Sequence, residues 1–565
     1  MRIVPFIAAF FLSSPVAAMA ATHDESSAPT LGMGMEINYG DYLAARFAAE
    51  HHELVEAAKY FRASLDQDPG DPQLLSSAFF YAAVAGNVED AGVLANQLMQ
   101  KTSDYGAAHL AVTVVAMKHG QYKAARTLIA KTPKGPFSAF TVALLDAWAA
   151  AGMGNASDAA DDLKTLHAQQ SADGLAYFNE ALIAEFLGRT DAADTAYRLG
   201  QQAIEPTPRF IDAYGRFLER NGRAKEAAAL YQSVVSDNAF ELVAKAGLAR
   251  IAAGTIPDPL IKRAEDGAAE ALFGIAASLN DDSNREISIF HLRLALYLRP
   301  DLDLADVLLA DRFESLEKYD DAIAVYRTVS RDSPYYRLAA VETAVDEGRL
   351  NRTDAAIADL QALIAAYPDS VETWTALGDA YRQAKRYPDA AKAYSQAIQA
   401  FGTPVKKTWP LFYARAFAEQ QANDWNAAEA DLKVALKLNP DEPQVLNYLG
   451  YSWVDQRRNI KEALTMLEKA RALSPQDGYI IDSVGWAYYR LGRYGDAAKT
   501  LETAVLLVPG DPTINDHFGD ALWKVGRKLD ARFQWSHAIA FGAEPGEKVK
   551  IEKKLQTGLN GAKKS

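Results

Sequence analysis

Between Val445 and Ala538 the chain says the same thing three times. The first row reads Leu446, Leu449-Gly450, Trp453, then Ala463, Leu467, Ala470 and Pro475. The second reads Ile481, Val484-Gly485, Tyr488, then Ala497, Leu501, Ala504 and Pro509; the third reads Phe518-Gly519, Leu522, then Ala531, Trp535 and Ala538. The glycines step by 35 and then 34 residues, the alanines by 34 each time. A fixed period of this length marks a stacked-repeat array. In each row the first marks fall at i, i+3, i+4 and i+7, one stripe of a helix. A short turn comes next, such as Leu491-Gly492-Arg493-Tyr494, and then a second stripe at i, i+4, i+7. The closing prolines stop the second helix. Each unit is therefore an antiparallel helix pair that buries its stripes only by stacking on its neighbours. Small residues at Gly450, Gly485, Ala463 and Ala497 stand where two helices must approach closely.

The period runs through the rest of the chain with varying fidelity. Repeats begin near Tyr42, and Gly120-Gln121-Tyr122, Gly188-Arg189-Thr190 and Gly222-Arg223-Ala224 mark turns of the early units. Pro257 and Pro259, in Gly254-Thr255-Ile256-Pro257-Asp258-Pro259, cannot both lie inside a helix. They predict a joint at 255–268 between an N-terminal array (41–254) and a C-terminal one (269–541). Gly402 to Pro410 inserts a few residues into one later unit. About 500 residues at a pitch of about 34 give about fourteen units. Residues 542–565 close the chain, with a polar helix opened by Pro545 expected to cap the array and a lysine-rich tail after it.

These marks resemble the tetratricopeptide repeat (TPR) family. The unit carrying Trp374, Leu377-Gly378, Tyr381, Ala390, Tyr394 and Ala397 matches the family order W-x2-L-G-x2-Y…A-x3-Y-x2-A. The resemblance implies an all-α chain, an α-solenoid wound as a right-handed superhelix of helix-turn-helix repeats. It identifies a fold without naming a ligand.

Composition narrows the function classes. A net charge of −14 and a pI near 5.3 argue against nucleic acid as a partner, because phosphate binding needs a basic surface. With no cysteine there is no disulfide, no thiolate metal ligand and no thiol nucleophile. Catalytic signatures such as G-x-S-x-G, H-E-x-x-H and the P-loop are missing. Asp516 and Asp520 share a helix face, but His517 lies about 100° round from them, a poor third metal ligand. The expectation is no enzyme, no cofactor and no metal.

The first twenty residues read as a secretion signal, with Arg2, a short apolar run from Ile3 to Leu12, and Ala18-Met19-Ala20 as the small-x-small cleavage site. An uncleaved anchor is the alternative, but about ten apolar residues fall short of the roughly 20 that span a bilayer. Residues 21–40 would be a polar leader, and no cysteine comes after the apolar run to carry a lipid. A periplasmic chain without a transmembrane segment in its mature form is expected.

In TPR proteins the first helices line a concave groove that takes peptides. With Leu446, Leu449, Gly450 and Trp453 in the core stripe, the groove side holds residues about 80–180° round from Leu446. The resemblance then points to Asn447 and Tyr451, to Asp482, Trp486, Tyr489 and Arg490, to Asp516, Asp520 and Trp523, and in the irregular unit to Tyr413 and Phe417. Aromatics interleaved with Asp and Arg suit an extended peptide or a partner's surface; the alternative is that Trp486, Tyr489 and Trp523 pack on neighbouring helices. The prevalence of aspartate disfavours a free carboxyl terminus as ligand.

The runs Leu446-Asn447-Tyr448-Leu449-Gly450-Tyr451-Ser452-Trp453, Ile481-Asp482-Ser483-Val484-Gly485-Trp486 and Asp516-His517-Phe518-Gly519 are similar to secreted TPR proteins of Gram-negative bacteria. Some of those resemble adaptors that bring substrates to a carboxyl-terminal processing protease. The resemblance implies an envelope scaffold whose partner is a protein or peptide, such as a periplasmic protease or an envelope assembly. A structural accessory of an outer-membrane export or polysaccharide-secretion machine is the other expectation.

Overall fold

In the computed structural model, the described residues are 39–559 apart from 103, 134–137, 168–172, 204–206, 236–240, 280 and 282–283. Among them there are thirty α-helices and no strand. The signal and most of the leader lie outside the described residues, as does the end of the lysine-rich tail. The chain forms two compact units, Met1–Leu350 and Asn351–Ser565.

The first unit holds α1 (Tyr39–Glu50), α2 (Leu54–Gln67), α3 (Pro72–Val84), α4 (Val88–Lys101), α5 (Gly106–Lys118), α6 (Tyr122–Ile129), α7 (Ser138–Gly152), α8 (Ala156–His167), α9 (Asp173–Phe186), α10 (Thr190–Ala203), α11 (Pro208–Arg220), α12 (Ala224–Val234), α13 (Glu241–Ala253), α14 (Ala264–Ser278), α15 (Arg285–Leu298), α16 (Asp303–Ser315), α17 (Tyr319–Tyr326) and α18 (Tyr336–Arg349). The second holds α19 (Thr353–Ala366), α20 (Val371–Gln383), α21 (Tyr387–Phe401), α22 (Trp409–Gln421), α23 (Trp425–Leu438), α24 (Pro443–Asp455), α25 (Ile460–Leu473), α26 (Gly478–Arg490), α27 (Tyr494–Leu507), α28 (Pro512–Lys524), α29 (Lys528–Ala540) and α30 (Pro545–Thr557).

Each first helix starts and stops for local reasons. Asp71, Asp477 and Asp511 sit at N-caps and accept backbone N–H groups of their own first turns, with Pro72 and Pro512 at the position that needs no donor. Most first helices end in one residue of left-handed conformation. Gly86, Gly120, Gly154, Gly188 and Gly222 fall 34 residues apart with φ from 68° to 97°. The N–H one residue further on closes the turn, as Arg493 does to Tyr488 O at 2.9 Å, a Schellman-type cap. In the second unit the same slot holds Asn351, Lys385, Asn423, Arg457, Gly492 and Gly526. The step from Lys385 to Asn423 is 38, which records the insertion before α22.

Between the helices of a pair the fit is close. A Cβ on Gly519 would lie 2.5 Å from the Trp535 ring, and Trp535, Ala531 and Ala497 have no exposed surface. This is the alanine and glycine periodicity seen from inside.

The first unit departs from a plain stack. The segment with Pro257 and Pro259 is a helix-free link, and α14 begins at Ala264, inside the span expected to be a joint. The compact units divide at Leu350/Asn351 instead. Helices α14 and α15 rest on the side formed by the first helices α3, α5, α7 and α9. Of the fifteen residues of α14, thirteen are buried, so it is enclosed around its whole circumference. A Cβ on Gly267 would meet Trp148 at 2.3 Å, and the fully buried Trp148 donates to Asn179 Oδ1 at 2.9 Å. The Tyr122 hydroxyl donates to Glu265 at 3.0 Å. Glu270 receives Arg209 Nε at 2.9 Å and Arg299 Nη1 at 3.0 Å. On α15, Phe290 stacks on Phe80 (5.9 Å) and meets Phe79 edge-on (6.2 Å), while Lys118 Nζ donates to Leu298 O at 3.0 Å. The face of this unit that could receive a partner between α3 and α9 is filled by the chain itself.

Candidate partner-binding face

In the second unit the first helices α20, α22, α24, α26 and α28 bring the predicted groove positions into register. Two rows cross the helices: Tyr413, Asn447, Asp482, Asp516, and Phe417, Tyr451, Trp486, Asp520. The structure divides these rows into a closed half and an open half.

The closed half spans α26, α28 and α30. Asp482 is buried, and both its oxygens lie 3.0 Å from His517 Nδ1. Trp486 is 9% exposed, stacked between Tyr489 (4.7 Å, 7°) and His517 (4.0 Å, 10°). Its Nε1 is buried without a hydrogen-bond partner among the described residues. Arg490 lies 5.6 Å from the Trp486 ring and donates to the Asp455 carbonyl at 2.8 Å. Lys554 of α30 bonds Asp516 at 2.7 and 2.8 Å and Asp520 at 2.8 Å, and Asp520 also accepts Trp535 Nε1 at 3.0 Å. Half-buried Trp523 packs on Trp535 (5.4 Å), and Gly558, at φ +67°, sits against its ring. Thus Asp482, Trp486, Asp516, Asp520 and Trp523 are engaged with the chain's own neighbours.

The electrostatics reflect this enclosure. Burial works against a charge on His517, but Asp482, with Asp516 and Asp520, outweighs it and raises its pKa above the ordinary 6.5. Burial raises the Asp520 carboxyl, while Lys554 pulls the other way. Burial lowers Arg490, and Arg457 adds like-charge repulsion. Burial also pushes the hydroxyls of Tyr451 and Tyr489 above their usual range.

The open half lies on α20, α22 and α24. Here Tyr413, Phe417, Asn447 and Tyr451 are half-buried. Tyr448, at about 200° from Leu446 and so just beyond the window read from sequence, joins them. Its ring lies 5.8 Å from Tyr413 and 6.5 Å from Phe417. Trp409, brought in by the insertion, meets Tyr413 edge-on at 6.2 Å, and Tyr387 meets Phe417 at 6.4 Å. Asn447 Oδ1 is buried without a hydrogen-bond partner among the described residues. Among the described residues no group of three or more His, Cys, Asp or Glu is placed to hold a metal ion, and no helix is long and apolar enough to cross a membrane.

Antiparallel helix pairs on a 34-residue pitch, with their first helices sharing one face, make this an α-solenoid, a class whose stacked repeats present extended surfaces. Residues 341–403, 413–478 and 485–543 match the tetratricopeptide repeat family. A TPR repeat-containing protein of Pseudomonas aeruginosa is 36% identical over 106 residues, 19% of this chain and 18% of that one. The ER membrane protein complex subunit 2-A of Xenopus laevis is 26% identical over 160 residues, 27% of this chain and 52% of that one. The matches thus span from about a fifth to about half of these relatives' lengths. The crystal structure of the APC/C hetero-tetramer Cut9–Hcn1 aligns at 14% identity with a TM-score of 0.39, over 92% of this chain and 96% of that one.

Proposed function

We propose that the chain is a non-enzymatic adaptor of the bacterial envelope that holds a partner polypeptide on the first-helix face of its second unit. One observation carries this reading. Phe417, Tyr413, Tyr448 and Tyr451 form a half-buried aromatic surface on α22 and α24, where the equivalent positions on α26 and α28 are sealed. Aromatic rings bury large area at low entropic cost, which suits them to anchor a partner. The closed half, from Trp486 to Trp523, serves as the rigid end wall of that surface.

The test is site-specific photocrosslinking from position 417 in the native cell, with Tyr413→Ala and Tyr448→Ala as variants. A discrete crosslinked partner, lost in both variants, is expected; the same adduct in all three proteins would retire the site. The periplasmic placement rests on Arg2, the Ile3–Leu12 run and Ala18-Met19-Ala20. Osmotic-shock release of a chain beginning at Ala21 supports it, and recovery in the cytosol with Met1 intact rejects it.

A further inference from the structure

The open aromatic surface is polarised. At its α20 end Arg382 holds its guanidinium 5.8 Å from the Phe417 ring centroid, with 46% of its side chain exposed. The same guanidinium lies close enough to Tyr413 to oppose the rise of that phenol's pKa, which burial and then Glu442 drive upward. Arg382 Nη2 donates to Asp379 Oδ1 at 3.0 Å, one turn back on α20. That oxygen already accepts the Tyr394 hydroxyl at 2.8 Å. The guanidinium also interacts with the Tyr394 hydroxyl, but a half-exposed pair at i, i+3 is a weak tie that a bidentate carboxylate can displace. Guanidinium recognises a carboxylate through two parallel N–H bonds, and stacking on an aromatic ring leaves that edge outward. Lys385 and Arg386 come next, in the turn between α20 and α21, Arg386 lying 4.5 Å over the Tyr381 ring and bonded to Asp389 at 2.9 Å. Asn447, next to Tyr448, adds a buried acceptor oxygen with no donor on it among the described residues.

We propose that this surface selects an acidic-aromatic polypeptide segment, one that lays an apolar ring or branched side chain on Phe417 and Tyr448 and a neighbouring Asp or Glu carboxylate on Arg382. The inference rests on the adaptor reading above and adds the chemistry of the partner. Glu442, on the Tyr413 side, repels a carboxylate and so sets the segment's direction: acidic residues toward α20, uncharged ones toward α24.

The experiment uses the full chain and three fluorescein-labelled ten-residue peptides: one with Phe and Glu, one with Lys in place of each Glu, one with Ala in place of each Phe. Anisotropy titration is expected to show the Phe/Glu peptide binding at least about tenfold more tightly than the Phe/Lys peptide. Arg382→Glu should reverse that order and Arg382→Gln abolish it, with unchanged thermal unfolding confirming the fold. Equal binding of the two Phe peptides, or an order untouched by Arg382→Glu, overturns the inference. If binding still depends on Phe417 and on the peptide's Phe, the aromatic reading survives that result. If Phe417→Ala also changes nothing, or no peptide binds at high micromolar concentration, both fall together.

Discussion

A single left-handed residue ends most first helices, and the second unit fills that slot unevenly. Gly492 and Gly526 adopt the conformation freely, whereas Lys385 holds φ +57° with a Cβ. A left-handed conformation costs a residue bearing a Cβ about 1–2 kcal/mol, partly returned because glycine frees the unfolded chain. Lys385→Gly should therefore raise the stability of the second unit by up to about 1 kcal/mol, read as a shift of the urea midpoint; a lower midpoint contradicts the argument. The opposite change tests the helix contact. Gly519→Ala puts a Cβ 2.5 Å from the rigid Trp535 ring and should cost about 1–3 kcal/mol by the same measurement. Gly519 was legible in the sequence, because a glycine or alanine that recurs about every 34 residues reports a constraint from both neighbours, whereas the lysine at 385 hid the turn slot it fills. The side of the helix a groove residue faces was legible only to within one step. Val454 fell inside the predicted window and is fully buried, while Tyr448 fell just outside it and faces Tyr413 and Phe417.

Helices α26, α28 and α30 are joined across their shared face by charge. His517 bridges the first two and Lys554 the last two, with Asp482, Asp516 and Asp520 as acceptors. Because the folded His517 binds its proton more tightly than a free imidazole does, its contribution is complete below 6.5 and declines as pH rises through the higher folded value. The stability difference between the natural chain and His517→Gln should shrink as pH rises above about 6.5; a difference that grows with pH has the wrong sign. The corresponding tie in the first unit is Glu270 on α14, 1% exposed between Arg209 and Arg299. Glu270→Ala removes the acceptor shared by two largely covered guanidinium groups, leaving Arg209 with Asp212 and Arg299 with Asp301, and should cost about 1–3 kcal/mol, visible as an earlier unfolding transition of that unit. Neither tie could be read beforehand. His517 looked poorly placed beside Asp516 and Asp520 because its partner, Asp482, lies 35 residues away on another helix.

For the molecule as a whole, the period announced the stacking of neighbours and was silent about anything that packs across many repeats. Pro257 and Pro259 correctly interrupted the helices, but α14 and α15 beyond them turn onto α3, α5, α7 and α9 rather than extending the array. A fragment of residues 39–253 should consequently lack a fixed core, binding the dye ANS and showing little near-ultraviolet dichroism, whereas 39–350 should do neither. A cooperative, dye-free 39–253 fragment would refute that account.

The filling of the first unit also sets a schedule. A ribosome supplies the chain from its N-terminus at about 5–20 residues per second, so the stretch from Ala253 to Leu298 that carries α14 and α15 arrives over about 2–9 s after α13 is complete. Throughout that interval the rings of Trp148, Phe79 and Phe80 lack the cover that α14 and α15 later give them.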